Sequence, residues 1–110
     1  MIILQLRKKA NNFTKSVRYL ELGSSALIEG QFEWIKMHLS KSSVLHHYGM
    51  TECSRAFIKR LDKLDEYKKN IGKELNGVKF KILKTSEEDD NGELLLKGKN
   101  LFSCYLDEEQ

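Results

Sequence analysis

Hydrophobic and polar positions along the chain switch between a period of two and a period near 3.6. Val17, Leu20 and Leu22 stand among Arg18 and Glu21 in near-alternation, with Tyr19 the exception, which predicts a strand over 17–22. Gly23-Ser24-Ser25 breaks that strand, and the hydroxyl of Ser24 or Ser25 is suited to cap a following helix. Ile28, Phe32, Ile35 and Leu39 then recur at intervals of four, three and four, one apolar stripe of a helix over 28–40 that Trp34 and Met37 widen. A short apolar run from Ser43 to Leu45 predicts a second, buried strand. Strand, helix and strand form a βαβ unit, which the handedness rule makes a right-handed crossover in a parallel sheet.

Residues 54–71 scatter Phe57, Ile58, Leu61, Leu64, Tyr67 and Ile71 among charges, and we read a short strand and then a helical turn there. Gly72 through Gly77 is a turn region. From Val78 the period is two again: Val78, Phe80 and Ile82 alternate with Lys79 and Lys81, a strand with one wet face. Asn91-Gly92 is a turn signal, and Glu93 to Lys97 is the returning strand of an antiparallel hairpin. The fold class is therefore α/β, a partial parallel βαβ sheet unit followed by an antiparallel β-hairpin, with the change of style near residue 72. At the N-terminus, Ile2, Ile3, Leu6 and Ala10 give residues 1–10 an apolar face compatible with a helix, which Asn11-Asn12 stops.

With 110 residues the chain can bury one modest core, and 40% apolar with 32% charged residues places it among globular rather than disordered segments. Apolar runs are far too short for a bilayer span, and Arg7-Lys8-Lys9 follows Ile2-Ile3-Leu4 in the reverse of a signal peptide's order, so a cytoplasmic location is expected. The net charge of +3 is made of short, dispersed basic clusters offset by Glu87-Glu88-Asp89-Asp90 and Asp107-Glu108-Glu109. That pattern argues against a nucleic-acid-binding face. Cys53 and Cys104 make no CxxC pair, and His46, His47 and Cys53 lack the fourth partner and spacing of a zinc site. Cys104 is expected to be a semi-buried structural thiol.

The candidate chemistry lies in Val44 to Glu52, read as the end of a strand and the loop after it, where open α/β sheets place ligand sites. Tyr48 offers a flat face to a base, and Gly49 allows a sharp turn or close approach. The Thr51 hydroxyl can donate to a phosphate oxygen, and the Glu52 carboxylate is a hard ligand suited to Mg²⁺. The same residues also suit an ordinary strand-to-loop junction with Tyr48 half buried and Glu52 solvated.

Tyr48-Gly49-Met50-Thr51-Glu52 resembles the Tyr-Gly-x-Thr-Glu signature of the adenylate-forming enzymes, which include acyl-CoA synthetases and related ligases. Two more matches follow the same order. Leu22-Gly23-Ser24-Ser25-Ala26-Leu27 resembles the family's Gly-Gly-Ala-Pro-Leu loop, and Gly92 to Gly98 with Tyr105-Leu106 resembles its Gly-Glu-Leu-x-x-x-Gly…Gly-Tyr stretch. The resemblance covers about residues 18–107.

It implies a ligase that activates a carboxylic acid with ATP as an acyl-adenylate and passes the acyl group to coenzyme A or another thiol. Gly23, Ser24 and Ser25 would border adenine, and His46 would take the place of an amide side chain near the adenylate. His47 and Met50 would flank the meeting point of carboxylate and α-phosphate. Tyr48 would stack on the base, Thr51 would contact phosphate and Glu52 would hold Mg²⁺. ATP or AMP and Mg²⁺ are thus the implied cofactors, with Thr51 and Glu52 the implied catalytic residues.

Departures from the pattern include His47 at a position where a small residue is frequent, and no proline where the family has it, at Ala26, Glu74, Asn76 and Lys99. The phosphate loop, the ribose-binding aspartate and the C-terminal catalytic lysine have no match here. The expectation is therefore an internal fragment of the large domain. Residues 1–71 would belong to the second α/β subdomain and 72–110 would begin a small β-barrel subdomain. Such a piece is expected to be inactive alone and to self-associate through uncovered sheet faces. The alternative is a non-enzymatic remnant or split subunit that binds nucleotide weakly or needs a partner chain.

Overall fold

The computed structural model describes residues 14–23, 25–84, 86–88 and 90–106. Its elements are β1 (Tyr19–Leu22), α1 (Glu29–His38), β2 (Ser43–Met50), β3 (Cys53–Arg60), a 3₁₀ turn at Leu61–Lys63, β4 (Lys73–Glu74), β5 (Lys79–Lys84) and β6 (Gly92–Lys97). The first four strands form one mixed sheet in the order β1-β2-β3-β4, and among the described residues β5 and β6 form a separate two-stranded sheet. β1 and β2 are parallel, with Leu20 beside Val44 and Leu22 beside His46. β3 runs antiparallel to both β2 and β4. The expected βαβ unit and hairpin are both present. The segment 1–10 lies outside the described residues.

The helix packs as its stripe dictates. Phe32 and Ile35 are sealed from solvent, and Trp34 and Leu39 are buried with Leu27, Val44 and Leu61. Tyr67 closes this core from below, its ring 6.1 Å from Phe32 and its hydroxyl donating to the Leu27 carbonyl at 2.6 Å. Two expected stripe members lie elsewhere: Ile28 is 63% exposed at the N-cap and Met37 is 76% exposed on the outer face. No serine caps the helix. Instead the Ile28 amide donates to the side-chain carbonyl of Gln31 at 3.1 Å, because Ile28, three residues beyond Ser25, is the N-cap.

The segment after Leu45 is not a loop. β2 continues to Met50 because β3 runs beside it, so that Leu45, His46, His47 and Tyr48 face Arg60, Lys59, Ile58 and Phe57. Only Thr51 and Glu52 turn the chain. The register shifts between Tyr48 and Met50, where Arg55 takes a left-handed φ of 51°. A side chain at Gly49 would meet the Arg55 amide nitrogen at 2.5 Å, so this crossing needs glycine.

A second core forms where the hairpin meets β3. Cys53, Ala56, Phe57 and Val78 are buried there, with Tyr48, Leu75, Leu94 and Leu96 partly buried around them. Phe57 and Phe80 meet edge to face at 5.2 Å. The radius of gyration is 17.1 Å, larger than the ~13 Å of a compact chain this long. Phe80, Ile82, Leu83 and Leu95 remain 41–48% exposed on the hairpin. The Cys53 thiol is buried, whereas Cys104 is exposed and not semi-buried, since residues 102–105 form no strand or helix that would cover it.

Asp62 stitches the sheet to the 3₁₀ turn. Its Oδ1 accepts the Val44 amide at 3.1 Å, and its Oδ2 accepts Arg60 Nη2 at 2.6 Å. The Arg60 hydrogen bond, and then the Val44 amide, hold the Asp62 carboxyl below its ordinary value of 3.8. The carboxylate thus stabilises the fold above that pH and loses its contribution as pH falls through the lowered value. Asp62→Asn is expected to lower the urea midpoint at pH 7 and to converge with the wild type as pH falls through the lowered value. Phe32→Ala is expected to destabilise by ~3–5 kcal/mol, against ~0.5 kcal/mol or less for Met37→Ala, in urea titrations followed by circular dichroism.

Candidate functional site

A cavity of about 420 Å³ opens where the 25–27 loop, β2, Lys59 of β3 and residues 67–71 converge. Its size is within the ~300–1,000 Å³ of ordinary small-molecule sites. Sheet periodicity places His46 and Tyr48 on the helix-packed face with Val44, and the pairings with Lys59 and Phe57 put those side chains on the same face.

His46 is buried, and its Nε2 lies 3.0 Å from the Ser25 carbonyl oxygen. A carbonyl only accepts, so Nε2 carries the proton, and this bond ties the loop to the strand. Tyr48 is half-buried. Its ring meets Phe57 edge-on at 6.0 Å, and the tyrosine still lines the cavity. Lys59 is 7% exposed, with Nζ donating to the carbonyls of Lys68 at 2.8 Å and Asn70 at 2.6 Å. Burial pushes its pKa below that of an ordinary lysine.

His47 alternates to the opposite face. Its Nδ1 is 2.9 Å from Glu21 Oε1, close enough for an ion pair when the ring is protonated but not aligned as a hydrogen bond. Arg55 Nε reaches the same oxygen at 2.9 Å. Gly23 lies against the His47 ring: a Cβ there would stand 2.3 Å from Nε2.

Ser25, His46, Tyr48 and Gly49 therefore meet around one cavity, and His47 also lines it although its ring is turned to the opposite face. Gly23 packs against that ring and is not part of the lining. Met50, Thr51 and Glu52 lie beyond its lining, with Met50 and Thr51 exposed at the β2–β3 tip. Ser24 falls outside the described residues. The Glu52 carboxylate accepts a hydrogen bond from the Tyr105 hydroxyl, and the Glu52 carbonyl accepts the Phe102 amide at 3.0 Å.

Among the described residues no three His, Cys, Asp or Glu side chains gather as a metal cradle. Glu52 alone fits Mg²⁺ of the kind that completes its shell with phosphate oxygens and water. Tyr105 engages one of the two carboxylate oxygens, leaving lone pairs on both. Lys59, Tyr67, Lys69, Asn70 and Ile71 also line the cavity and were not expected from the sequence. The available signal was the period of two in β3, which carries Lys59 inward once Phe57 is inward.

The family model described as AMP-binding enzyme matches residues 1–106. The chain belongs to the AMP-binding enzyme family. Among solved structures, it is similar to O-succinylbenzoate coenzyme A synthetase (MenE) from Bacillus subtilis in complex with ATP and magnesium ion. The identity is 25% and the TM-score 0.77, over 96% of this chain and 23% of that one. The same enzyme in complex with the acyl-adenylate intermediate OSB-AMP is 26% identical, with a TM-score of 0.73, over 98% of this chain and 23% of that one. VinN in complex with L-aspartate, 21% identical with a TM-score of 0.70 over 94% of this chain and 26% of that one, shares the fold. The chain thus spans about a quarter or less of the length of these proteins. A search among curated proteins gives no significant match.

The contact between Gly23 and the His47 ring yields a direct check. Gly23→Ala is expected to swing the imidazole away from Glu21, shifting the His47 ring resonances in NMR spectra. Because only the end of a side chain must move, the melting free energy should change by ~0.5 kcal/mol or less.

Proposed function

We propose that this chain forms part of the nucleotide site of an ATP-dependent carboxylate–CoA ligase. The observation that carries the proposal is the meeting of the Ser25 loop and Tyr48 around one cavity, joined by the His46–Ser25 bond. In this reading a carboxylate oxygen attacks the α-phosphorus of ATP, an acyl-adenylate forms and pyrophosphate leaves. A thiol such as coenzyme A then takes the acyl group and AMP departs. Bound Mg²⁺ supplies neutralising charge on the phosphates.

The chain's own residues have the following parts. Gly23, Ser24 and Ser25 border adenine, with His46 fixing the loop. Tyr48 offers its free face to the base, while Phe57 braces its edge. His47 and Met50 flank the reacting carboxylate. Thr51 donates to phosphate, and Glu52 gives the metal a carboxylate oxygen not engaged by Tyr105. The presence of ATP and magnesium, AMP or an acyl-adenylate in the similar synthetase structures supports this reading. It extends to a cytoplasmic setting, and to a boundary near residue 72 between an α/β subdomain and the start of a β-barrel subdomain.

Rate in such enzymes comes largely from holding reactants in place, so this chain alone is assigned weak nucleotide binding without turnover. A second reading, a split subunit that needs a partner chain or associates with itself, is favoured by the exposed Phe80, Ile82, Leu83 and Leu95 of the hairpin.

The test is an NMR titration of the chain with AMP, together with ATP–pyrophosphate exchange over a panel of carboxylic acids. AMP is expected to shift the Ser25, His46 and Tyr48 resonances. Tyr48→Ala should weaken binding about tenfold, the worth of one stacked base. Exchange should be flat. Unmoved resonances at these three residues would refute the nucleotide site, and clear exchange would refute the assignment of a chain without turnover.

A further inference from the structure

The hairpin has two open edges. Among the described residues, no backbone hydrogen bond joins 79–84 or 92–97 to anything but the opposite strand. An open edge is a template for a further strand. The two edges differ in charge. β5 carries Lys79, Lys81 and Lys84 and no acid, and edge lysines of this kind keep a strand from being paired. β6, Gly92-Glu93-Leu94-Leu95-Leu96-Lys97, has one acid, one base and three leucines.

Alternation sorts the residues of β6 into two rows. Leu94 and Leu96 lean on Cys53, Ala56, Phe57 and Val78 in the second core. Glu93, Leu95 and Lys97 form the outer row, all three exposed. Among the described residues neither Glu93 nor Lys97 has an ion-pair partner. The outer row is its own complement. About a two-fold axis through Leu95, an antiparallel copy sets its Lys97 against Glu93, its Leu95 against Leu95 and its Glu93 against Lys97. The same register sets Leu94 against Leu96 in the inner row, so both rows match. A two-fold through β5 would instead crowd lysines of the two copies together, which like-charge repulsion opposes.

We propose that β6 pairs antiparallel with β6 of a second copy of this chain, joining two hairpins into one four-stranded sheet with the β5 lysines on both outer edges. The proposal rests on the second reading above, association of the chain with itself, and gives it a surface and a register. The two-fold uses up the receptive edge of each copy, so assembly stops at two. Each hairpin gains the further strands that a two-stranded sheet needs for independent stability. Exposed ion pairs contribute little singly, so Glu93 and Lys97 act mainly to choose register and partner.

The experiment is analytical ultracentrifugation of the full chain over a concentration series. The weight-average mass is expected to rise from one chain toward two and no further. Glu93→Lys and Lys97→Glu should each weaken association about tenfold, since the two-fold repeats every altered pair. Mixing the two variants should restore it, because each acid of one then faces a base of the other. Circular dichroism checks that both are folded. Should either unfold, isotope-filtered NMR on a mixture of labelled and unlabelled wild-type chains decides, with NOEs expected between the Leu95 methyls of the two copies. A dimer that lacks those NOEs, or whose affinity the folded variants leave unmoved, overturns the proposal while self-association stands. Single chains at every concentration overturn both, and leave β6 to a partner of different sequence. A mass that climbs past two overturns the closed pairing. The AMP titration above is independent of all these outcomes.

Discussion

The register of β2 is the constraint on which the rest of the molecule depends. This strand is hydrogen-bonded on both sides, parallel to β1 and antiparallel to β3. Its alternation sends Val44 into the helix core, His46 to the Ser25 loop and Tyr48 to the second core. A slip of one residue would exchange these for Leu45 and His47 and dismantle both cores and the cavity together. Asp62 helps to fix that register at its start, where the Val44 amide takes a side-chain carboxylate as partner.

The opposite face of the same sheet is organised by Glu21. Its carboxylate receives Arg55 from β3, faces His47 on β2 and accepts the Tyr19 hydroxyl from β1 at 3.3 Å. Each exposed ion pair contributes little alone. Their joint effect is positional, because the Arg55 side chain is held at the point where its backbone is left-handed, a conformation costing of order 1 kcal/mol or more. Three strands thus converge on one carboxylate on the face away from the helix.

Much of the fold is legible in the sequence because its signals are local. Phe32, Ile35 and Leu39 state the helix by spacing alone, and Phe80 and Ile82 against the lysines state the hairpin. The extension of β2 through His46, His47 and Tyr48 is not local. It exists because β3 lies alongside, and nothing in a run of two histidines, a tyrosine and a glycine announces that neighbour. The candidate site divides in the same way. Ser25, His46 and Tyr48 come from contiguous motifs and meet as their order suggests. Lys59, Tyr67 and Asn70 reach the cavity through long-range pairing and backbone contacts, and their residue types gave no warning. Ile28 and Met37 show the converse error, in which apolar character was taken for burial: Ile28 falls at the N-cap because the helix begins later than the stripe implies, and Met37 lies within the helix but on its exposed side.

The β2–β3 tip is also clasped from far along the chain. Asn100 donates to the Ser54 carbonyl at 2.6 Å, Leu101 bridges to Cys53, Phe102 binds the Glu52 carbonyl, and Tyr105 reaches the Glu52 carboxylate across 53 residues. Closing a span of that length is entropically slower than closing the helix or either hairpin turn. Position 52 consequently acquires its final surroundings late in assembly, after the sheet that carries it has formed and the C-terminal stretch has come home.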